Sequence, residues 1–559
     1  SSSSAASDVY KRQVKIIATS REKLKLQAET ALNITGMDFP DQETPLNPQE
    51  HDAIELFLHS IRRVRPKFDP DIDDLKHLMN ICRLVEGMPL AIELAAGWMN
   101  VLSPEELASE IQRSMDILTS EIRDIPERHR SMRAVFDQSW SFLDQPEREA
   151  FMHLSAFRGG FTREAAQAVA GASLQLLASL VNKSFLHHDP ASGRFNTHEL
   201  LREYAQEQLG KTPDHKTSAL EAHTAYFANF MEEHWDRLRD QRQKAALNQI
   251  NADLENIRTA WRYCVNHGNT VQMRKFLNSF WLVHWFLGWN NGGEKLFGEA
   301  VEALSEQRGD EGDKTARAVA LAHQGFFKTW LGFAEQGYSL AKESVDTLER
   351  LDRPFELVLA LGSLNLAADF LTRYEEGEKA ARKMLDIANR LNDKWLLAFS
   401  LYKVSVANPP DRDFSEMRRV AQTSMDLYDE LGERMASMLS LMTLGHAALA
   451  LGEHTQAGEI YLRCLKTSEA VGYRWGIANA CKYLGQMALS LSEPGEAETY
   501  LLRSLKIADE TGLGRDQVNL LCDLARVRMA ENRLERAVEI VAVALQHPAS
   551  HLHRLGGGS

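Results

Sequence analysis

One spacing constrains this chain more than any other. Gly312, Asp352, Asn392, Gly432, Gly472 and Gly512 recur every 40 residues, and residues of these types suit the breaks between helices. Thirteen residues after each stand Gly325, Asn365, Ser405, Gly445, Gly485 and Ala525, all small or compact, where facing helices must approach closely. A third register, Val345, Leu385, Met425, Leu465, Leu505 and Leu545, is apolar throughout and is expected on the buried face of each second helix. A fourth holds Ala457, Ala497 and Ala537. Several registers at one period predict an α-solenoid over 312–548, each helix pair burying its apolar face only against its neighbours.

Helical apolar spacing recurs almost everywhere after Pro45, so the fold class is mainly α with few, local strands. Residues 211–311 are expected to form a helical linker of degenerate repeats. Its Trp235, Trp261, Trp281, Trp285 and Trp289 read first as packing and second as a ligand-binding aromatic cage. Pro409-Pro410 should cut one helix short. The formal net charge of −14 is spread along the chain, which leaves no broad basic face for nucleic acid. Cys82, Cys264, Cys464, Cys481 and Cys522 lie too far apart for metal-ligand spacing and are expected to be buried free thiols. No run of about 18 apolar residues is present to span a membrane, and a cytoplasmic location is expected.

Ahead of the repeats, Val14 to Ala18 reads as a buried strand ending at Thr19-Ser20-Arg21, and Ala31 to Ile34 as a second strand. A helical domain follows over 46–125, with Glu50 to Ile61, Ile72 to Val85, Leu90 to Met99 and Pro104 to Arg113 as helices. Ser103, with Glu106 three residues on, signals a capping box for the last of these. Over 126–210, helices at Met132 to Phe142, Pro146 to Ser155, Arg163 to Ala170 and Leu174 to Ser184 precede a predicted hairpin. Its strands, Phe185 to His188 and Arg194 to Thr197, flank Asp189-Pro190-Ala191-Ser192-Gly193. Helices followed by a small hairpin suggest a winged helix, closed by a helix from His198 to Leu209.

Three segments now stand in order: Lys15-Ile16-Ile17-Ala18-Thr19-Ser20-Arg21, Gly87-Met88-Pro89-Leu90 with the following Ala-Ile-Glu-Leu-Ala-Ala, and Thr197-His198-Glu199-Leu200-Leu201. Together with the winged helix they resemble the STAND class of signal-transduction ATPases with an NB-ARC-like core, over about Val14 to Leu209. The repeats resemble tetratricopeptide repeats, most clearly from Leu444 to Gly472, with a period longer than the usual ~34. The resemblance implies that residues 14–45 are a remnant of a P-loop α/β domain and that ATP or ADP with Mg is the cofactor of an intact parent, a slow ATPase. It implies nucleotide-binding roles for Arg21 as the γ-phosphate sensor, Pro89 against the adenine and His198 toward the ADP β-phosphate. Arg suits the first by offering a fork of donors to two phosphate oxygens, and imidazole the last by donating over a modest distance. Glu199 stands where the family has Asp.

Leu209-Gly210-Lys211-Thr212 mimics the end of a phosphate loop, but the first Gly of that motif would fall on Ala205, so a glycine helix stop is expected instead. With neither a phosphate loop nor an acidic strand for Mg, the chain itself is expected not to hydrolyse ATP and to hold no cofactor. Asp8 to Gln13 resembles a translated transposon end and Gly556-Gly557-Gly558-Ser559 a linker, so 1–13 is expected to be an artefactual leader and 549–559 a tail on a truncated parent. His547, His551 and His553 suggest adventitious metal binding at most. Three functions follow. The first is the sensor and regulatory part of an ATP/ADP switch, whose repeats take a protein, peptide or small-molecule inducer on their concave face and which self-associates on activation. The others are a nucleotide-independent scaffold and a winged-helix DNA reader. Lys183 is the sole basic residue of the expected recognition helix, which makes direct nucleic-acid binding the poorest of the three.

Overall fold

A computed structural model describes residues 34, 36–40, 51–120, 130–304, 310–407 and 412–547. The expected strand over Val14 to Ala18, Arg21, Pro409-Pro410, His551 and His553 lie outside the described residues. Ile34, placed in the second expected strand, is exposed and not in a strand. Packing divides the chain into two units, residues 1–226 and 227–559.

In the first unit, α1 (Asp52–Val64), α2 (Ile72–Leu84), α3 (Pro89–Trp98) and α4 (Pro104–Arg113) pack around Phe57, Ile61, Leu78, Ile81, Ile92 and Leu107. Asp71 and Ser103 start α2 and α4 with capping boxes, the second as the sequence predicts. Then come α5 (Met132–Ser141), α6 (Gln145–Leu154), α7 (Arg163–Ala170) and α8 (Leu174–Asn182). The hairpin pairs β1 (His187–Asp189) with β2 (Arg194–Asn196), in antiparallel register with His188 opposite Phe195. Asp189 accepts from the Ala191 backbone at 2.9 Å, and Gly193 takes φ +69°, so the turn is held by an aspartate and released by a glycine. Phe161 bridges Phe195 from the other side, adding a one-residue third strand. Helix α9 (Glu199–Gly210) then inserts Leu200 and Tyr204 into the core of the first four helices. The helix ends at Gly210, where the sequence places a glycine stop, and its cap, Lys211, is right-handed.

The second unit is a TPR-like α-solenoid. It begins within α10 (Pro213–Arg237) and continues through α11 (Gln243–Ala252), α12 (Leu254–His267), α13 (Thr270–Leu287) and α14 (Asn290–Ala303). The repeats follow: α15 (Glu311–Trp330), α16 (Ala334–Arg350), α17 (Pro354–Phe370), α18 (Tyr374–Leu391), α19 (Lys394–Val406), α20 (Phe414–Leu431), α21 (Arg434–Ala450), α22 (His454–Val471), α23 (Arg474–Ser490), α24 (Pro494–Thr511), α25 (Gly514–Ala530) and α26 (Leu534–Gln546). Helix α19 has 13 residues where α17 and α21 have 17, and stops just before Pro409-Pro410.

The structure explains the repeat registers and corrects two of them. Asp352, Asn392, Gly432, Gly472 and Gly512 have φ between 51° and 72°, the left-handed break after each second helix. Gly312 does not share this role: it lies in the first turn of α15. A second left-handed register, Gly332, Thr372, Gly452, Ser492 and Asn532, ends every first helix except α19, and its mixed composition hid it from sequence reading. The small-residue register sits where expected. A Cβ on Gly445 would stand 2.5 Å from the Tyr461 ring and one on Gly485 2.7 Å from Leu501, each in the next helix.

The apolar register lies at the edge of the buried face: Val345 and Leu465 are buried, Leu385, Met425 and Leu505 are half-buried and Leu545 is exposed, whereas one residue earlier Ser344, Met384, Ser424, Cys464, Ser504 and Ala544 are all buried. The serines alternate with apolar residues, and each donates to a backbone carbonyl 26 residues back: Ser344 to Ala318 at 2.5 Å, Ser424 to Ala398 at 2.8 Å and Ser504 to Ala478 at 2.7 Å. Alternate repeats are thus fastened by a buried hydroxyl, giving the array an 80-residue period beneath the 40-residue one. Ser504→Ala should cost about 1 kcal/mol, the usual net worth of one such bond, read as a lowered denaturation midpoint; an unchanged midpoint would show the bond to be idle.

The segment ahead of the repeats crosses the inside of the array. Trp235 meets Trp395 at 5.8 Å, the Gln241 N–H donates to the Leu431 carbonyl at 3.0 Å, Phe286 meets Tyr473 at 6.2 Å, and Asn290 donates to the Thr511 carbonyl at 2.8 Å. One short segment reaches so many successive repeats only if the array curves around it. Four of the cysteines are buried, as expected, but Cys522 is exposed, which corrects its assignment to the core.

Candidate functional site

The site begins where α2 stops. Glu86 and Gly87 take left-handed φ values of 46° and 63° in succession, which reverses the chain before Met88 extends it into Pro89, the first residue of α3. Gly87 is required twice over. Its φ disfavours a side chain, and a Cβ there would stand 2.1 Å from the Met37 carbonyl oxygen. The Met37 N–H donates to the Gly87 carbonyl at 2.8 Å, so two backbones lie in direct contact. Pro89 is exposed at the head of α3, while Met37 and Met88 are half-buried against the helical core.

His198 reaches this turn from the N-cap of α9. Its Nδ1 accepts from the Leu200 N–H at 3.2 Å, which assigns the ring proton to Nε2. Nε2 is buried and makes no hydrogen bond of ordinary geometry; the Val85 carbonyl bears on the ring, and the carboxylate oxygen Glu86 Oε2 is 3.7 Å away. The other oxygen of Glu86 accepts from the Glu199 N–H at 2.8 Å. The hydroxyl of the preceding residue, Thr197, is also buried without a hydrogen-bond partner. Burial lowers the His198 pKa; Glu86, the Val85 carbonyl and Glu199 oppose that but do not overcome it, so the ring is neutral at pH 7 and offers one donor.

Glu199 pairs within its own unit. Its carboxylate takes Arg202 at 2.5 Å and Arg158 at 3.2 Å. Burial works against its charge, but the Arg202 guanidinium outweighs it and holds the carboxyl below the usual range. Of the three residues predicted from sequence, the structure therefore brings His198 to the turn that leads into Pro89, while Arg21 lies outside the described residues. Glu86 was missed: a lone glutamate before a glycine carries no sequence signal, and only the fold puts it beside His198.

Lys183 is already committed. Its ammonium donates to Glu147 at 2.7 Å and to the Phe142 carbonyl at 2.9 Å, leaving α8 poor in charge for phosphate contact. Among the described residues no group of three His, Cys, Asp or Glu is placed to hold a metal ion, and no single helix is long and apolar enough to cross a membrane.

No family model matches the sequence. A Mycobacterium tuberculosis protein with the provisional name HTH-type transcriptional regulator is 26% identical over 383 residues, covering 64% of this chain and 40% of that protein, and a Mycobacterium bovis protein matches equally. The chain thus spans 40% of the length of these curated relatives. Among solved structures it is similar to a signal transduction ATPase with numerous domains (STAND) carrying a tetratricopeptide repeat sensor, from Pyrococcus horikoshii. That likeness has 15% identity and a TM-score of 0.45, over 90% of this chain and 68% of that one. It is also similar to the quorum sensor NprR of B. thuringiensis in its apo form, at 13% identity and a TM-score of 0.34, over 51% of this chain and 73% of that one.

Proposed function

We propose that the chain is the sensor and regulatory portion of an ATP/ADP-dependent signalling switch that acts on transcription, with residues 130–210 serving as its winged helix and the repeats receiving an inducer. The observation that carries this reading is the imidazole of His198, whose buried Nε2–H makes no hydrogen bond of ordinary geometry and stands 3.7 Å from Glu86, the residue before the Gly87-Met88-Pro89-Leu90 turn. A native fold rarely leaves buried donors unused. A phosphate oxygen within reach of Nε2–H would accept from it, so the imidazole fits the end of an ADP that the family resemblance implies. Bound there, the nucleotide would supply the negative charge that ties the winged helix to the helical domain.

Glu86 adds regulation to that reading. A carboxylate 3.7 Å from the same imidazole is repelled by an incoming phosphate and competes with it for His198. The turn therefore has two arrangements, Glu86 on His198 or phosphate on His198, and nucleotide binding shifts the balance between them. The test is the nucleotide content and ADP affinity of the chain extended by its upstream coding sequence. The extended protein should retain ADP, His198→Ala should weaken it about tenfold or more, as expected for losing a hydrogen bond to a charged group, and Glu86→Gln should strengthen it. An extended protein that purifies without nucleotide and binds none, or a His198→Ala variant with unchanged affinity, would sink the proposal.

A further inference from the structure

The second unit holds a partly open cavity of about 130 Å³ between α13, α15, α17, α19, α21 and α23. Trp285, Trp330, Trp475 and Phe370 supply aromatic walls, and Asp369 and Lys403 supply charge. The rings brace one another: Trp330 meets Phe370 edge-on at 5.3 Å and Trp475 at 6.2 Å, while Trp285 meets Phe326 at 5.4 Å. Such walls are formed in advance, so a ligand need not order them. The volume is close to that of a cavity of ~150 Å³ that admits benzene, but this one is not apolar.

Its polar groups are mismatched in one direction. The indole N–H groups of Trp285, Trp330 and Trp475 are all buried without an acceptor. Lys403, 4% exposed, forms no ion pair among the described residues, and its ammonium rests only over the Phe399 and Tyr402 rings at 5.6 and 5.7 Å. Asp369 is the one carboxylate of the lining and likewise forms no ion pair among the described residues. Three cations, Arg515, Lys403 and Arg412, bear on it. Arg515 lies over Phe370 at 4.5 Å, and Arg412 donates to the Ser405 carbonyl. Donors exceed acceptors and positive charge exceeds negative.

We infer that this cavity binds a small aromatic carboxylate, its ring between the tryptophans and its carboxylate on Lys403 and the indole N–H groups. This rests on the reading of the repeats as a ligand sensor and names the class of ligand. A cation of the same size would find one carboxylate against three positive charges. A neutral ligand would leave the ammonium unpaired, at the cost of an uncompensated buried charge. Burial lowers Lys403 to about 8, so the ammonium persists at pH 7 and supports the same choice. A cavity of about 130 Å³ has the size of one ring system, not of an extended peptide.

Calorimetric titration of the full chain tests this with benzoate and phenylacetate as carboxylates, benzylamine as the cation and benzyl alcohol as the neutral analogue. The carboxylates should bind at one site and benzylamine at least about tenfold more weakly. Lys403→Met should weaken the carboxylates about tenfold without changing benzyl alcohol, and Asp369→Asn should strengthen them. Should Lys403→Met not fold, Asp369→Asn reads the same charge balance from the other side. Absence of carboxylate binding, equal or tighter binding of benzylamine, or an Asp369→Asn variant that binds carboxylates no better overturns the proposal. Failure here leaves the ADP measurement on the extended chain untouched, and failure of that measurement leaves this cavity's affinity unaltered.

Discussion

Lys183→Met is expected to destabilise the first unit by about 3 kcal/mol. Glu147, 3% exposed, carries its charge on three donors: Lys183 at 2.7 Å, the Ser179 hydroxyl at 2.6 Å and the Asp144 N–H. Methionine keeps the length of the lysine stem but strands that carboxylate. The figure sits at the lower end for a broken buried pair because Lys183 is itself 21% exposed. Burial alone would raise the Glu147 pKa, but Lys183, Ser179 and Asp144 together hold it below the usual 4.5. A depressed carboxylate contributes stability above its unfolded pKa and loses it as pH falls through the folded value. The gap between wild type and variant should therefore be full at pH 7 and close on acidification below about 4.5. Denaturation of the full chain, followed by exchange protection over 145–183, measures it. The double variant with Glu147→Gln should recover most of the loss; a single variant within about 0.5 kcal/mol of wild type would show the pair to be idle.

The second large effect has the opposite dependence on pH. Glu433 is completely buried at the N-cap of α21, where it accepts from the Ala436 N–H at 2.8 Å and from the side chain of Gln243, 190 residues away. Burial pushes its carboxyl from 4.5 up to about 7, against the opposing pull of Gln243 and the backbone donors. Between those two values the folded protein holds a proton that the unfolded chain has released, so stability falls as pH rises and levels off above about 7. The difference of 7 − 4.5 corresponds to about 3 kcal/mol. Because Gln243 also accepts from the Met435 N–H at 3.2 Å, the loss should loosen the segment that crosses the array first. Melting curves from pH 5 to 8 should show a downward trend in wild type that Glu433→Gln lacks; parallel curves would refute the assignment.

These two residues show where sequence reading stopped. Lys183 could be noticed as a lone basic residue on a helix, but its partner Glu147 lies on another helix and its commitment is visible only in three dimensions. Glu433 reads as an ordinary surface glutamate after a helix-ending glycine, and nothing local marks it as buried. The same holds at the candidate site. His198 and Pro89 were legible because short motifs surround them, whereas Glu86 was silent. Family resemblance led to the two ends of the site, and the α2 turn supplied the residue that joins them.

The repeats divide in the same way. The 40-residue period, the breaks at Asn392, Gly432, Gly472 and Gly512 and the close approaches at Gly445 and Gly485 were determined by the sequence alone, because each depends on local backbone geometry or on the absence of a side chain. The centre of the buried face lay one residue from the apolar register, of which Val345 and Leu465 are buried, because an apolar register is easier to see than one in which Ser344, Ser424 and Ser504 alternate with Met384, Cys464 and Ala544. Each of these three serines is accommodated in the core by a carbonyl that accepts from it, and that carbonyl comes from the preceding helix. The cavity among Trp285, Trp330 and Trp475 is likewise a tertiary product, since residues 190 positions apart share it. Local geometry is written in the order of residues, but burial, pairing and charge balance belong to neighbours that only the folded chain selects.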